Sequence, residues 1–264
     1  MIWAALCVGL AVGVVVGALG AGGGILSVPI LVYLLGQTPH HATAESLVIV
    51  IVTALVALPS RARRHQVKWA DGLLFGLLST VGAVAGTTLN RLAPRTALMG
   101  SFAVLLVGVG TYMLVDSRRH ARAERTGEPR PRRGAGATHG VGHWVAVVVA
   151  ATLTGLLTGF FGVGGGFAVV PILTIVLGFG IKEASGTSLL VMTIAGLASL
   201  AKRHVSGGMD VEWGVTLMFT AGSALGGIAG GPLSQRAKAS TLTLVFALLL
   251  FAVAAFTVVE TFLL

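Results

Sequence analysis

The chain has 264 residues, 55% of them hydrophobic and 10% charged, with a mean hydropathy of +0.93; a soluble domain carries about a quarter charged residues, so water is excluded as the solvent for most of it. The formal net charge of +9 does not point to nucleic acid, because the basic residues lie between apolar runs, with seven arginines within residues 118–133. The single cysteine, Cys7, excludes an internal disulfide and any cysteine-based metal cluster.

Apolar runs fall at residues 2–20, 25–36, 42–59, 72–90, 97–115, 143–161, 167–179, 185–201, 213–233 and 240–262. Most reach the ~20 residues that a helix needs to cross ~30 Å of hydrocarbon. Runs such as Leu47 to Leu58 are apolar at nearly every position, unlike the alternating strands of a transmembrane barrel. The predicted fold is therefore all-α, a polytopic transmembrane bundle of eight to ten membrane elements. The first run begins Met1-Ile2-Trp3, without a basic n-region, and is too long for a signal-peptide core, so it is expected to be a helix of the mature protein. Runs 25–36 and 167–179 are short, which suits broken or re-entrant helices.

A shift of 142 residues lays Gly17-Ala-Leu-Gly20-Ala-Gly22-Gly23-Gly24 over Gly159-Phe-Phe-Gly162-Val-Gly164-Gly165-Gly166, and Val28-Pro29-Ile30-Leu31 over Val170-Pro171-Ile172-Leu173. The same shift pairs Gly36 with Gly178 and Ser46-Leu47 with Ser188-Leu189, and after a two-residue insertion Gly82 and Gly86 pair with Gly226 and Gly230. Two homologous transmembrane repeats, 1–115 and 143–264, are thus expected, each of five apolar elements. The basic linker 116–142 between them, rich in Arg, Gly and Pro, is expected to be disordered or to lie on anionic lipid. If all five elements of a repeat change sides, the second repeat is inverted; if the short ones do not cross, eight spans remain and the repeats are parallel. In the first half Arg61, Arg63, Arg64 and Lys68 read as a cytoplasmic loop, whereas Lys202 and Arg203 balance Arg236 and Lys238 in the second.

Adjacent glycines each cost a helix roughly 1 kcal/mol relative to alanine, so a Gly-Gly-Gly run marks a break. Gly20, Gly22, Gly23 and Gly24, with Gly162, Gly164, Gly165 and Gly166, are therefore candidate anion ligands through backbone N–H groups at the positive end of a short helix. Pro29 and Pro171 follow each run by five residues and limit the short helix. The glycines spaced by four, Gly9, Gly13 and Gly17, Gly155 and Gly159, and Gly222, Gly226 and Gly230, instead suit close helix packing. Neither run follows a nucleotide-binding fingerprint.

The helices after the short elements open on Thr43-Ala-Glu45-Ser46 and Ser185-Gly-Thr187-Ser188, where hydroxyls either cap a helix or reach a ligand. Ser46, Thr187 and Ser188 are the substrate-binding candidates among them. Glu45 is a candidate for proton coupling or, at a helix N-terminus, a favourable negative charge; its counterpart is Thr187. No His, Asp or Glu constellation has metal-ligand spacing and no catalytic triad can be assembled, so no catalytic residue, metal or cofactor is expected.

With these two glycine runs, each followed by a Val-Pro-Ile-Leu run, the chain resembles the sulfite exporter TauE/SafE family over nearly its whole length outside 116–142. The resemblance implies a multi-pass cell-membrane transporter of small, often sulfur-containing anions such as sulfite, sulfonates and related carboxylates. Its partners would be that substrate, the lipid bilayer and a coupling proton or sodium ion, with no nucleic acid; the oligomeric state stays open. Glu45 departs from the small or hydroxyl residue expected there, since a carboxylate beside an anion site repels its ligand unless neutralised or turned away. A scaffold or accessory membrane protein and an anion channel are the other readings.

Overall fold

The computed structural model describes residues 2–19, 24–126, 141–164, 166–207, 211–236 and 239–262. They form helices α1 (Ile2–Leu19), α2 (Gly24–Pro29), which continues as a π-helical turn over Ile30–Leu34, α3 (Pro39–Ala62), α4 (Trp69–Leu92), α5 (Arg95–Thr126), α6 (Val141–Phe161), α7 (Gly166–Val176), α8 (Ile181–Val205), α9 (Trp213–Arg236) and α10 (Ala239–Phe262). No strand occurs among the described residues. Six of the helices are long and apolar enough to cross a membrane, and Gly24–Leu34 is a shorter apolar helix. The chain is a multi-pass membrane protein.

Each apolar run corresponds to one helix, because a run without breakers closes all its backbone hydrogen bonds internally, as hydrocarbon requires. The structure departs from expectation in three places. Residues 116–126 of the linker, expected to be disordered or to lie on anionic lipid, are helical and extend α5, and 127–140 lie outside the described residues; Ala, Arg and Glu dominate 116–126, and the first glycine is Gly127. The prolines do not end the short helices. Pro171 lies inside α7, and after Pro29 the chain winds on into the π turn, where Leu35 N–H reaches Ile30 O at 3.0 Å. Arg61 and Arg203 are not loop charges, since both are buried within the last turns of α3 and α8.

Glycines spaced by four are the contact surfaces between helices. A Cβ on Gly9 or Gly13 would overlap Phe219 or Ser223 of α9, and one on Gly222 or Gly226 would overlap Leu6 or Leu10 of α1. α6 meets α4 in the same way: Gly155 and Gly159 lie against Ser79 and Ala83, and Gly82 and Gly86 against Thr152 and Leu156. Backbones therefore approach without intervening side chains, the arrangement by which helices associate in lipid. The first helix of each half thus packs on the fourth of the other, while α3 packs on α8 and α5 on α10.

Both short helices close alike. Gln37 N–H bonds Leu31 O at 2.9 Å and Phe179 N–H bonds Leu173 O at 3.4 Å, around Gly36 and Gly178 at φ +70° and +67°. This left-handed helix terminus favours glycine. Among the described residues, nothing beyond its two chain neighbours lies within 4 Å of where a Gly36 Cβ would stand. Gly36→Ala is therefore expected to cost only the strain of the left-handed backbone, about 1–2 kcal/mol, read as a small fall in thermal stability with flux retained.

Candidate functional site

The second glycine run ends α6. Gly162 N–H closes the last turn on Thr158 O at 3.0 Å, so this amide is already engaged, and Gly162 and Gly164 both take φ +68° before α7 opens at Gly166. A Cβ on Gly162 would stand 2.2 Å from Thr43 O, and one on Gly164 2.2 Å from Val50 Cγ1. The break therefore lies directly on α3. Gly24, which opens α2, presses on the same break, 1.9 Å from its would-be Cβ to Val163 O. Gly166, Pro29 and Pro171 are buried. Gly20, Gly22, Gly23 and Gly165 lie outside the described residues.

Ser46 stands between the two α3 residues that touch the break, since Thr43, Ser46 and Val50 at i, i+3 and i+7 share one helix face. Its hydroxyl is fully buried and has no hydrogen-bond partner. The other hydroxyls predicted to join it do not. Ser188 Oγ donates to Ser185 O at 2.9 Å, and Thr187 Oγ1 accepts from Lys68 N–H at 3.0 Å.

Nor do they share its depth. Arg203, at the end of α8, reaches Thr43 at the start of α3, while Thr187, at the start of α8, meets Lys68 beyond the end of α3, so the two helices run antiparallel. Gly196 faces Ile51 side by side, which sets Ser46 and Ser188 about 20 Å apart along the pair at 1.5 Å per residue. Hence Ser46, Thr187 and Ser188 do not converge on a single ligand; Ser46 belongs with the second break.

Glu45, the residue before Ser46, points around the helix to another partner. Its Oε1 accepts from Glu212 N–H at 3.0 Å, and its Oε2, fully buried, has no partner. Glu212 immediately precedes α9, as Lys68 immediately precedes α4. Glu45 and Thr187, which the 142-residue shift superposes, therefore do the same thing: each supplies an oxygen to the backbone N–H before a helix of the other half. The acceptor is common to both halves although the residue type is not.

Polar contacts surround both junctions. Gln37 Nε2 donates to Glu212 Oε2, and Lys68 Nζ pairs with Glu183 Oε1 at 3.2 Å. Glu183 Oε2 also accepts from Gly180 N–H at 3.3 Å at the start of α8. Because the Lys68 and Glu183 side chains are 46% and 40% exposed, Lys68→Met is expected to change stability by no more than about 1 kcal/mol, measured by thermal unfolding in detergent.

The residue that sequence reasoning assigned to a loop lies beside the break. Arg203 is 2% exposed; its Nη2 donates to Thr43 Oγ1 and to Asn90 Oδ1, each at 3.0 Å, and its Nη1 to His40 O at 3.5 Å. Asn90, at the end of α4, in turn donates from Nδ2 to Phe160 O at 2.6 Å, two residues before Gly162. One signal was available: the 142-residue shift that aligns the glycine runs also lays Arg61 over Arg203. No group of three or more His, Cys, Asp or Glu side chains able to hold a metal ion occurs among the described residues.

Comparison with known proteins shows the family. The sulfite exporter TauE/SafE family model matches residues 5–257. A probable membrane transporter protein of Xylella fastidiosa (strain Temecula1) is 35% identical over 252 residues, covering 94% of this chain and 91% of that one. The probable membrane transporter protein YunE of Bacillus subtilis is 26% identical over 252 residues, 92% of each chain. A probable membrane transporter protein of Haemophilus influenzae is 26% identical, covering 94% of this chain and 95% of its own. No solved structure matches. The chain belongs to the sulfite exporter TauE/SafE family of membrane transporters.

Proposed function

We propose that this protein is a secondary carrier of small oxyanions, such as sulfite, sulfonates or related carboxylates, held against the glycine breaks. The observation that carries the reading is Ser46. A buried hydroxyl without a partner costs about 1–3 kcal/mol, and this one lies on the α3 face that touches Gly162 and Gly164. An anion seated there would meet the Ser46 hydroxyl and the positive end of α7 at Gly166. In sequence, the 142-residue shift makes Ser188 the counterpart of Ser46 and Gly20 to Gly24 the counterpart of Gly162 to Gly166. The family match and the relatives' names as probable membrane transporters support the class of function.

The two halves act as inverted copies that rock about the contact of Gly24 with Val163 in the second break, giving alternating access. Antiparallel α3 and α8 support it, because equivalent helices of parallel repeats would run the same way. Glu45 Oε2, buried and unpartnered, is the proposed carrier of a coupling proton.

The test is uptake of radiolabelled sulfite and 2-aminoethanesulfonate into proteoliposomes. A carrier gives saturable flux that responds to a proton gradient; a channel gives flux that does not saturate, and a scaffold gives none. Inversion is tested separately by placing single cysteines at Gln37 and Phe179 in a Cys7→Ser background. Labelling from opposite sides of the membrane is expected, and labelling from the same side would sink the inverted arrangement.

A further inference from the structure

Arg203 raises a problem of charge. A guanidinium carries five N–H donors and is permanently protonated. Here three hydrogen bonds go to Thr43 Oγ1, Asn90 Oδ1 and His40 O, all of them neutral, and Nε has no partner although the residue is 2% exposed. Among the described residues, the charged side chain acting on it from a neighbouring element is another cation, Arg91, whose Nη1 donates to Ser206 O at 2.7 Å. Glu45, close in sequence to Thr43, does not neutralise it, because residues two apart on a helix face opposite ways and Oε1 is engaged with Glu212.

A buried ion is costly unless it is paired. Helix ends supply part of the compensation, since α8 directs the negative end of its dipole toward its last turn. That does not account for the unpartnered Nε, nor for a second arginine close by. Both features are those of a site that takes its negative charge from outside.

We infer that Arg203 is the residue that reads the charge of the transported anion, taking one oxygen of a sulfite, sulfonate or carboxylate group on the donors left free by Thr43, Asn90 and His40. Asn90 positions it: one amide holds Nη2 through Oδ1 and the chain before Gly162 through Nδ2. Thr43 links it to the break itself, because Gly162 rests on Thr43 and Ser46 lies one turn further along α3. Arg91, exposed near the end of α4, adds positive charge beside Arg203 that attracts anions. The inference rests on the carrier reading above and adds to it a residue and a ligand chemistry.

The test compares wild type, Arg203→Gln and Arg203→Lys in proteoliposomes, with saturable uptake of radiolabelled sulfite and 2-aminoethanesulfonate as the readout. A hydrogen bond to a charged group predicts a KM raised ~10- to 100-fold in Arg203→Gln. Lys keeps the charge and loses the fork, so its KM should rise only a few-fold, with the maximal rate per inserted molecule close to wild type. A purely structural arginine would lower the amount of active protein in both variants and leave KM unchanged. KM within twofold of wild type in Arg203→Lys overturns the assignment even where Arg203→Gln does not insert. Saturable wild-type flux with unchanged KM in the variants removes Arg203 alone; no saturable wild-type flux of either anion removes the carrier reading and this inference with it.

Discussion

Gly162→Val is expected to lower thermal stability markedly and to cut anion flux at least ~tenfold. Two penalties act on the same residue. Gly162 takes φ +68°, a left-handed conformation that costs an L-residue about 1–2 kcal/mol and a β-branched one more. A Cβ there would also stand 2.2 Å from Thr43 O and 2.6 Å from Thr43 Cα. These neighbours belong mainly to the backbone, so no rotamer change relieves the overlap, and the break must lift away from α3 at a further cost of about 1–3 kcal/mol. The displacement separates the break from Ser46 and from Thr43, the residue that holds Arg203. Gly36→Val is the matched control, since it places the same β-branched side chain at the same sign of φ where no neighbour stands within 4 Å of the Cβ. Unfolding midpoints of purified protein and proteoliposome uptake together decide the matter. Equal losses in the two variants would mean that strain alone matters and that the contact with α3 does not.

The sequence made the helices plain because a membrane span is a matter of local composition. Each apolar run closes its own hydrogen bonds, so its existence does not depend on its neighbours. The packing glycines were legible for the same reason, a four-residue spacing on one helix face. The π turn after Pro29 was not, because Pro171 stands at the equivalent position within an unbroken α7, and identical local sequence can wind either way. Ser46 and Ser188 were both expected at the ligand because each is a hydroxyl near the start of the helix that follows a glycine run. Equivalence in sequence fixes position along each helix but not the direction in which the two helices run, and their antiparallel packing sends the two serines to opposite ends. Arg61 and Arg203 were hidden by a general habit of membrane sequences, in which basic residues at the ends of apolar runs belong to loops. Burial of Arg203 depends on Thr43 and Asn90, which are 160 and 113 residues away along the chain, and composition does not register contacts of that range.

Glu45 allows its two oxygens to be tested separately. Oε1 accepts the N–H of Glu212 at the start of α9, the service that Thr187 performs for Lys68 at the start of α4; Oε2 is buried and unpartnered. Glu45→Leu removes both oxygens and leaves the Glu212 N–H without its acceptor, so a loss of about 1–3 kcal/mol is expected, with little flux. Glu45→Gln retains an oxygen for Glu212 and replaces the other by an NH2 group that carries no exchangeable charge. Its stability should stay close to wild type while uptake loses its response to an imposed pH gradient. Glu45→Thr reproduces the residue at the equivalent position of the other half and should likewise insert, fold and transport without proton coupling. Unfolding midpoints follow the first oxygen and gradient-driven uptake follows the second. If Glu45→Gln still accumulates anion in response to the gradient, the carboxylate is a helix cap only, and the coupling proton must be sought on another group.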